Sequence, residues 1–235
     1  MKKAKIFSLL AAAFLLFGLI AGCGTKAGGS QTAPAAPAAP AGQNGGQNNS
    51  SAQTITLKGI ADLVPHSEII EYVKPKLAQQ GIDLVLVSTA ADNTTNEKTA
   101  KGEIDFNYFQ HYPYLESWNE TNGFNLVNAG DIHVEPITAY SDKYESAEKI
   151  PDNAVVAIPN DGTNEYRALR ILEQNGFLKL NEDTATSLRA SLTDIKEFIR
   201  PLEIVELDSA QIIPTKDDYD FFITNTNKAL EANIT

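Results

Sequence analysis

Residues Thr54-Ile-Thr-Leu-Lys-Gly-Ile60 alternate polar and apolar, the two-residue period of a strand with one covered face. From His66 to Gln80 the period changes, with Ile69, Ile70, Val73 and Leu77 on one side of a helix that Gly81 ends. A second strand is predicted at Ile82–Val87, a short helix at Glu97–Lys101, a third strand at Ile104–Phe109 and a helix at Pro113–Thr121. Strands and helices alternating at this spacing predict a parallel sheet covered by helices. The second half repeats the grammar. Ala154–Ile158 is apolar throughout, as a strand buried on both faces should be, and Asn164–Gln174 has helical spacing and stops at Asn175-Gly176. Leu202–Leu207 and Tyr219–Thr224 read as further strands, and Asp131–Tyr140, which contains Pro136, as an extended crossover. The predicted class is α/β, with lobes at residues 54–134 and 135–228 enclosing a cleft of the kind that holds small molecules.

The first 53 residues follow another pattern. Lys2, Lys3 and Lys5 precede an apolar run from Ile6 to Ala21, shorter than the about 20 residues of a membrane-spanning helix. A charged start, an apolar centre and the small pair Ala21-Gly22 predict a cleaved signal at residues 1–22. Ala21-Gly22-Cys23 resembles the lipobox of bacterial lipoproteins, in which that cysteine is lipidated and begins the mature chain. An ordinary signal with an incidental cysteine is the alternative. Residues 23–53 are rich in Ala, Pro, Gly, Gln, Asn and Ser, with Lys26 the only charge, and are expected to be a disordered tether. Lipid on Cys23 would hold the protein at a membrane surface without crossing it.

The chain has 235 residues, 43% hydrophobic and 21% charged, enough to build a substantial core. Its formal charge of −11 makes nucleic acid an unsuitable partner. Cys23 is the single cysteine, so no internal disulfide and no cysteine-clustered metal site is expected.

Three segments carry candidate chemistry. Gly102–Leu115 places Tyr108, Phe109, His111, Tyr112 and Tyr114 at and beyond the end of a strand, where ligands of parallel sheets gather. An aromatic core cluster is the other reading. Val156–Leu169 runs from a strand through a polar loop into a helix with Arg167 near its start. A guanidinium grips a carboxylate through two parallel hydrogen bonds, and its unfavourable place on the helix dipole asks for an anion. Asp161 or Glu165 could equally be that anion. Asp220–Asn227 delivers Asn225 and Asn227 at a strand end, where amides can donate and accept, or simply turn the chain.

Together with Val64-Pro-His-Ser-Glu-Ile69 and His133-Val-Glu-Pro136, these segments closely resemble the methionine-binding lipoprotein family, the membrane-tethered substrate-binding components of ABC amino-acid importers. The matching stretches run in the family's order as far as Ala229, and Asn107–Leu115 is the most specific of them. The resemblance implies a two-lobed periplasmic-binding-protein type II fold that closes on a free amino acid, L-methionine first, and delivers it to an ABC importer permease. Position by position, it implies that Arg167 holds the α-carboxylate with Asn164, that Asn160 belongs to the same ligand-facing loop, and that Asn225 binds the ligand's backbone polar groups. It likewise implies that Phe109, His111 and Tyr114 line the side-chain pocket and that His66 lies near the cleft mouth. No cofactor, metal or catalysis is implied. Thr89-Ala-Ala-Asp92 stands where the family usually has an aromatic pair, Asp62 and Leu63 stand where small residues are commoner, and Lys228 replaces a usual tyrosine. Another amino acid or a short methionine-containing peptide therefore stays open as ligand. Relatives continue beyond the position of Thr235, so residues 229–235 are expected to start a return to the first lobe and the chain to be truncated.

Two other classes compete. A zinc-binding importer lipoprotein would use His66, His111, His133 and Glu135, against which stands the absence of helical ligand spacing. An envelope hydrolase would need a nucleophile elbow or a His-Glu-x-x-His helix, and the sequence holds neither.

Overall fold

The first sheet is all parallel. In the computed structural model, which describes residues 54–234, β1 (Ile55–Ala61) leads into α1 (His66–Ala78), β2 (Ile82–Ser88), α2 (Asn93–Ala100), β3 (Phe106–Tyr108) and α3 (Tyr112–Asn122). The expected signal, Cys23 and the tether lie outside the described residues. The strand order is β2-β1-β3, with Ile55 opposite Ile82 and Gly59 opposite Phe106. Gly59 is required there, because a Cβ atom would come within 2.3 Å of the Phe106 ring. Gly81 ends the turn after α1 at φ +78°, a left-handed conformation that glycine adopts without strain.

The helix expected at Glu97–Lys101 starts earlier, at Asn93. Asp92 accepts the Thr94 N–H at 2.9 Å and Thr95 completes a reciprocal cap, so capping and not an apolar stripe defines α2. Its buried residues are Thr95 and Asn96, which is why hydrophobic spacing did not reveal it.

The second half comprises β4 (Ile137–Tyr140), β5 (Ala154–Pro159), α4 (Gly162–Gln174), β6 (Leu178–Leu180), α5 (Thr184–Ser187), β7 (Ile195–Phe198), β8 (Leu202–Leu207), α6 (Ser209–Ile212), β9 (Phe221–Asn225) and α7 (Thr226–Glu231). Its main sheet has the order β4-β9-β5-β8, with β5 parallel to both neighbours and β4 antiparallel to β9. The expected crossover thus ends as an edge strand. Ala168, Leu169 and Leu172 of α4 are fully covered by Val156, Ile158, Phe177, Phe221 and Ile223, which form the main core. The antiparallel β6–β7 pair is too short to show a period in the sequence. The α/β class with mainly parallel sheets flanked by helices is the architecture observed.

Helix α7 returns to the end of β1. Asp62, buried, accepts from Asn227 Nδ2 at 2.9 Å and from Lys228 Nζ at 3.0 Å. It also accepts the backbone N–H groups of Leu63 and Ala91. Two separate departures from the family pattern, Asp62 and Lys228, are therefore partners.

Candidate functional site

All three sequence-derived segments sit at the carboxyl ends of strands, β3, β5 and β9, and each starts a helix there, α3, α4 and α7. Asp161 caps α4 by accepting from Asn164 N and Thr163 Oγ1, and it also accepts Asn164 Nδ2 at 2.9 Å. That contact aims Asn164 Oδ1 at two donors, Arg167 Nη1 at 3.0 Å and Asn225 Nδ2 at 3.3 Å. Arg167 Nη2 donates to the Glu135 backbone carbonyl at 2.7 Å. Asn164, Arg167 and Asn225, drawn from three elements, thus form one polar cluster.

Partly buried Arg167 meets only neutral acceptors in these bonds, and no described carboxylate lies within ion-pair distance of it. Burial works against its charge, with Glu135 and Asp161 giving distant support. The compensating-anion reading fails on geometry. Asp161 spends its oxygens on the helix cap, and Glu165 lies on another face beside Glu206.

The aromatic segment faces this cluster. Phe109 and Tyr114 meet edge to face at 5.9 Å, and His111 lies 6.2 Å from Tyr114. Tyr114 donates to Asn93 Oδ1 at 2.6 Å. Burial lowers His111 to about 4, with Arg167 the next cause, and its Nε2 is buried without a partner. Burial, then Asp161, pushes Tyr114 up to about 12. Both rings are neutral at pH 7 and lie close enough to the α4 start to feel its charges. An open cavity of about 510 Å³ lies beside Tyr114, walled by Asn93, Tyr114 and Trp118 on one side and Asp161, Gly162 and Thr163 on the other.

Two of the expected site residues stand apart. Asn160 is exposed at the end of β5, its N–H bonded to the Leu207 carbonyl. His66 is buried in a second group with Tyr108, His133 and Glu135, joined to the first through the Glu135 carbonyl on Arg167. Sequence reasoning missed the orienting role of Asp161, for which an Asp before a helix of apolar spacing was the available signal. It also missed Glu135 as a backbone partner of Arg167, which no local pattern announces.

Glu165 and His111 oppose each other in pH dependence. Burial, and then Glu206, pushes Glu165 up from 4.5 to about 8, so the folded state keeps a proton that the unfolded chain releases. Stability from this group is whole below pH 4.5 and is lost as pH rises to about 8. His111, lowered from 6.5 to about 4, contributes stability that is whole above pH 6.5 and is lost toward pH 4. The two offset between 4.5 and 6.5, leaving a net loss from Glu165 as pH rises from 6.5 to about 8. Urea unfolding of Glu165→Gln should show that loss removed, and a profile parallel to the parent's would contradict this account.

The family model described as NlpA lipoprotein matches residues 59–235. The chain belongs to the NlpA lipoprotein family. Among family relatives, the membrane lipoprotein TpN32 of Treponema pallidum is 35% identical over 170 residues, covering 72% of this chain and 63% of its own. The D-methionine-binding lipoprotein MetQ of Salmonella typhi is 36% identical over 177 residues, covering 74% of this chain and 65% of its own. This NlpA-family chain therefore spans somewhat less than two thirds of the length of these relatives. A nutrient binding protein from Burkholderia cenocepacia, solved bound to methionine, superposes with a TM-score of 0.71 at 35% identity, over 76% of this chain and 75% of that one. The family membership agrees with the resemblance carried by the sequence motifs, and the superposition with the fold class they implied.

Proposed function

We propose that this NlpA-family chain is a substrate-binding lipoprotein that captures a free amino acid, L-methionine first, between lobes 54–134 and 135–228 and hands it to an ABC importer permease. The observation that carries the reading is Arg167, a partly buried guanidinium with neutral partners only, held beside two amides and a histidine with a free ring nitrogen. An α-carboxylate supplies the missing charge, Asn164 and Asn225 match the ligand's polar backbone atoms, and Phe109, His111 and Tyr114 offer apolar faces to its side chain. Asn160 and His66 act from the margin of the cleft. The D-methionine-binding name of the Salmonella typhi relative and the methionine-bound neighbour support methionine as the side chain, and neither specifies the L form. The role is capture without turnover. Closure hinges near residues 133–137 and is a population shift toward the form the ligand prefers. A signal at residues 1–22, lipid on Cys23 and a tether at 23–53 keep the binding lobes at the extracytoplasmic face of the membrane.

A short methionine-containing peptide is the second reading, favoured by the cavity of about 510 Å³ beside Tyr114, which offers more room than one amino acid fills. Thermal unfolding of the protein against L-methionine, D-methionine, other amino acids and methionine dipeptides tests both. A ligand at about 100 times its Kd adds about 2.7 kcal/mol, roughly 5–10 °C in Tm. L-Methionine is expected to give that shift. A shift with dipeptides alone favours the second reading, and no shift with any of them refutes both.

A further inference from the structure

The second polar group has a geometry that amino-acid capture does not use. His66 opens α1, His133 and Glu135 lie in the segment entering β4, and their three ligand atoms all fall within 4.8 Å of one another. Glu135 Oε2 stands 3.3 Å from His66 Nε2 and 3.5 Å from His133 Nε2. Zinc bonds of about 2.0–2.1 Å at tetrahedral angles separate ligand atoms by roughly 3.3 Å. Two edges of the triangle therefore already have the dimensions of a coordination sphere.

The surroundings also suit a metal ligand set. The Tyr108 hydroxyl bonds His133 Nδ1 at 2.6 Å, the outer contact that orients a ligating imidazole through its other nitrogen. His66 and His133 meet edge to face at 4.9 Å, and Tyr108 closes the group at 4.8 Å from His66. Burial keeps His66 in the neutral form that offers a lone pair. Its Nδ1 is the one ring nitrogen of the pair without a partner. The charges that face the group balance in sign. Asp62 from the end of β1 is paired with Lys228 of α7, and Arg167 of α4 is turned to the Glu135 carbonyl.

We propose that His66, His133 and Glu135 form a binding site for one divalent transition-metal ion of the zinc class. Two imidazoles and a carboxylate suit zinc over magnesium or calcium, and three protein ligands leave a fourth position for water or a ligand atom. A bound ion ties the start of α1 to the segment whose carbonyl holds Arg167. Metal occupancy thereby stiffens the arm on which that guanidinium rests.

The test is titration of chelator-treated full-length protein with zinc against a chromophoric competitor, alongside cobalt(II) absorption. One equivalent of zinc should bind with micromolar or tighter affinity, and cobalt should give the intense visible bands of a four-coordinate site. His133→Ala should lose at least 100-fold in zinc affinity, and Tyr108→Phe, which removes only the outer contact, 10- to 100-fold. Glu135→Gln serves as a second ligand variant of unchanged size if His133→Ala does not fold. The L-methionine melting shift, read on the same variants, reports amino-acid binding independently. Absence of saturable zinc binding to the parent, or zinc binding that a folded His133→Ala or Glu135→Gln protein retains in full, overturns the site.

Discussion

Arg167→Ala is expected to lose about 2–5 kcal/mol of amino-acid binding, a rise in Kd of roughly 30- to several-thousandfold. The size follows from what the side chain is and where it stands. Its two described bonds, to Asn164 Oδ1 at 3.0 Å and the Glu135 carbonyl at 2.7 Å, fix the plane of the guanidinium without neutralising it. A carboxylate arriving there forms charge-assisted bonds in a partly dehydrated place, where removal of one partner leaves the other charge unpaired. The same reasoning separates binding from folding. A partly buried charge without a counter-ion does not stabilise the free protein, so Arg167→Ala should melt no lower than the parent when no ligand is present. Arg167→Lys should recover only part of the affinity, because an ammonium keeps the charge and loses the two-pronged geometry. Isothermal titration with L-methionine reads all three proteins. Parent-like affinity in Arg167→Ala removes Arg167 from the site.

Asp62→Ala should cost about 3–5 kcal/mol of folding stability, the penalty for leaving one half of a buried pair behind. The Asp62 and Lys228 side chains are 5% and 16% exposed, and their contact joins the end of β1 to α7. Asp62 also accepts from Asn227 Nδ2 and the N–H groups of Leu63 and Ala91, so its loss orphans several donors at once. In urea the midpoint should fall with the slope unchanged. The double variant Asp62→Ala, Lys228→Ala should be less damaged than the sum of the singles, since the stranded ammonium is gone. A loss under about 1 kcal/mol would mean that water or Glu231, which contacts Lys228 at 3.3 Å, satisfies the lysine without Asp62.

The elements that sequence pattern located are those whose own residues repeat a signal. β1 alternates in residue type although its burial runs from exposed at Ile55 to buried at Ala61, β5 is apolar along its length, and α4 ends at Asn175 followed by Gly176 at φ +75°. Each is a local statement about which face meets the core or which backbone angle a residue tolerates. α2 was misplaced because caps hold it and its covered residues are Thr95 and Asn96. The antiparallel β6–β7 pair was missed because three or four residues are too few to show a period.

The candidate residues divide on the same line. Phe109, His111, Tyr114, Asn164, Arg167 and Asn225 could be picked out as candidates because each lies at or just beyond a strand end within one motif. Glu165 could not. Its burial and the position of Glu206 on β8, neither of them visible in a string, raise its proton affinity. His66, His111, His133 and Glu135 were weighed as zinc ligands and set aside for want of helical spacing; the fold brings His66, His133 and Glu135 together and leaves His111 beside Tyr114.

By itself the amino-acid sequence determined the α/β alternation, the strand ends that carry the polar and aromatic segments, and membership of a lipoprotein family. Local periodicity and short motifs suffice for these, because they depend on neighbours a few residues away. Tertiary structure alone decided that Arg167 rests on neutral oxygens, that Asp62 meets Lys228, and that His66, His133 and Glu135 converge. Those facts depend on distances between residues far apart in the chain, and only the packing of α1, α4 and α7 against their sheets sets such distances.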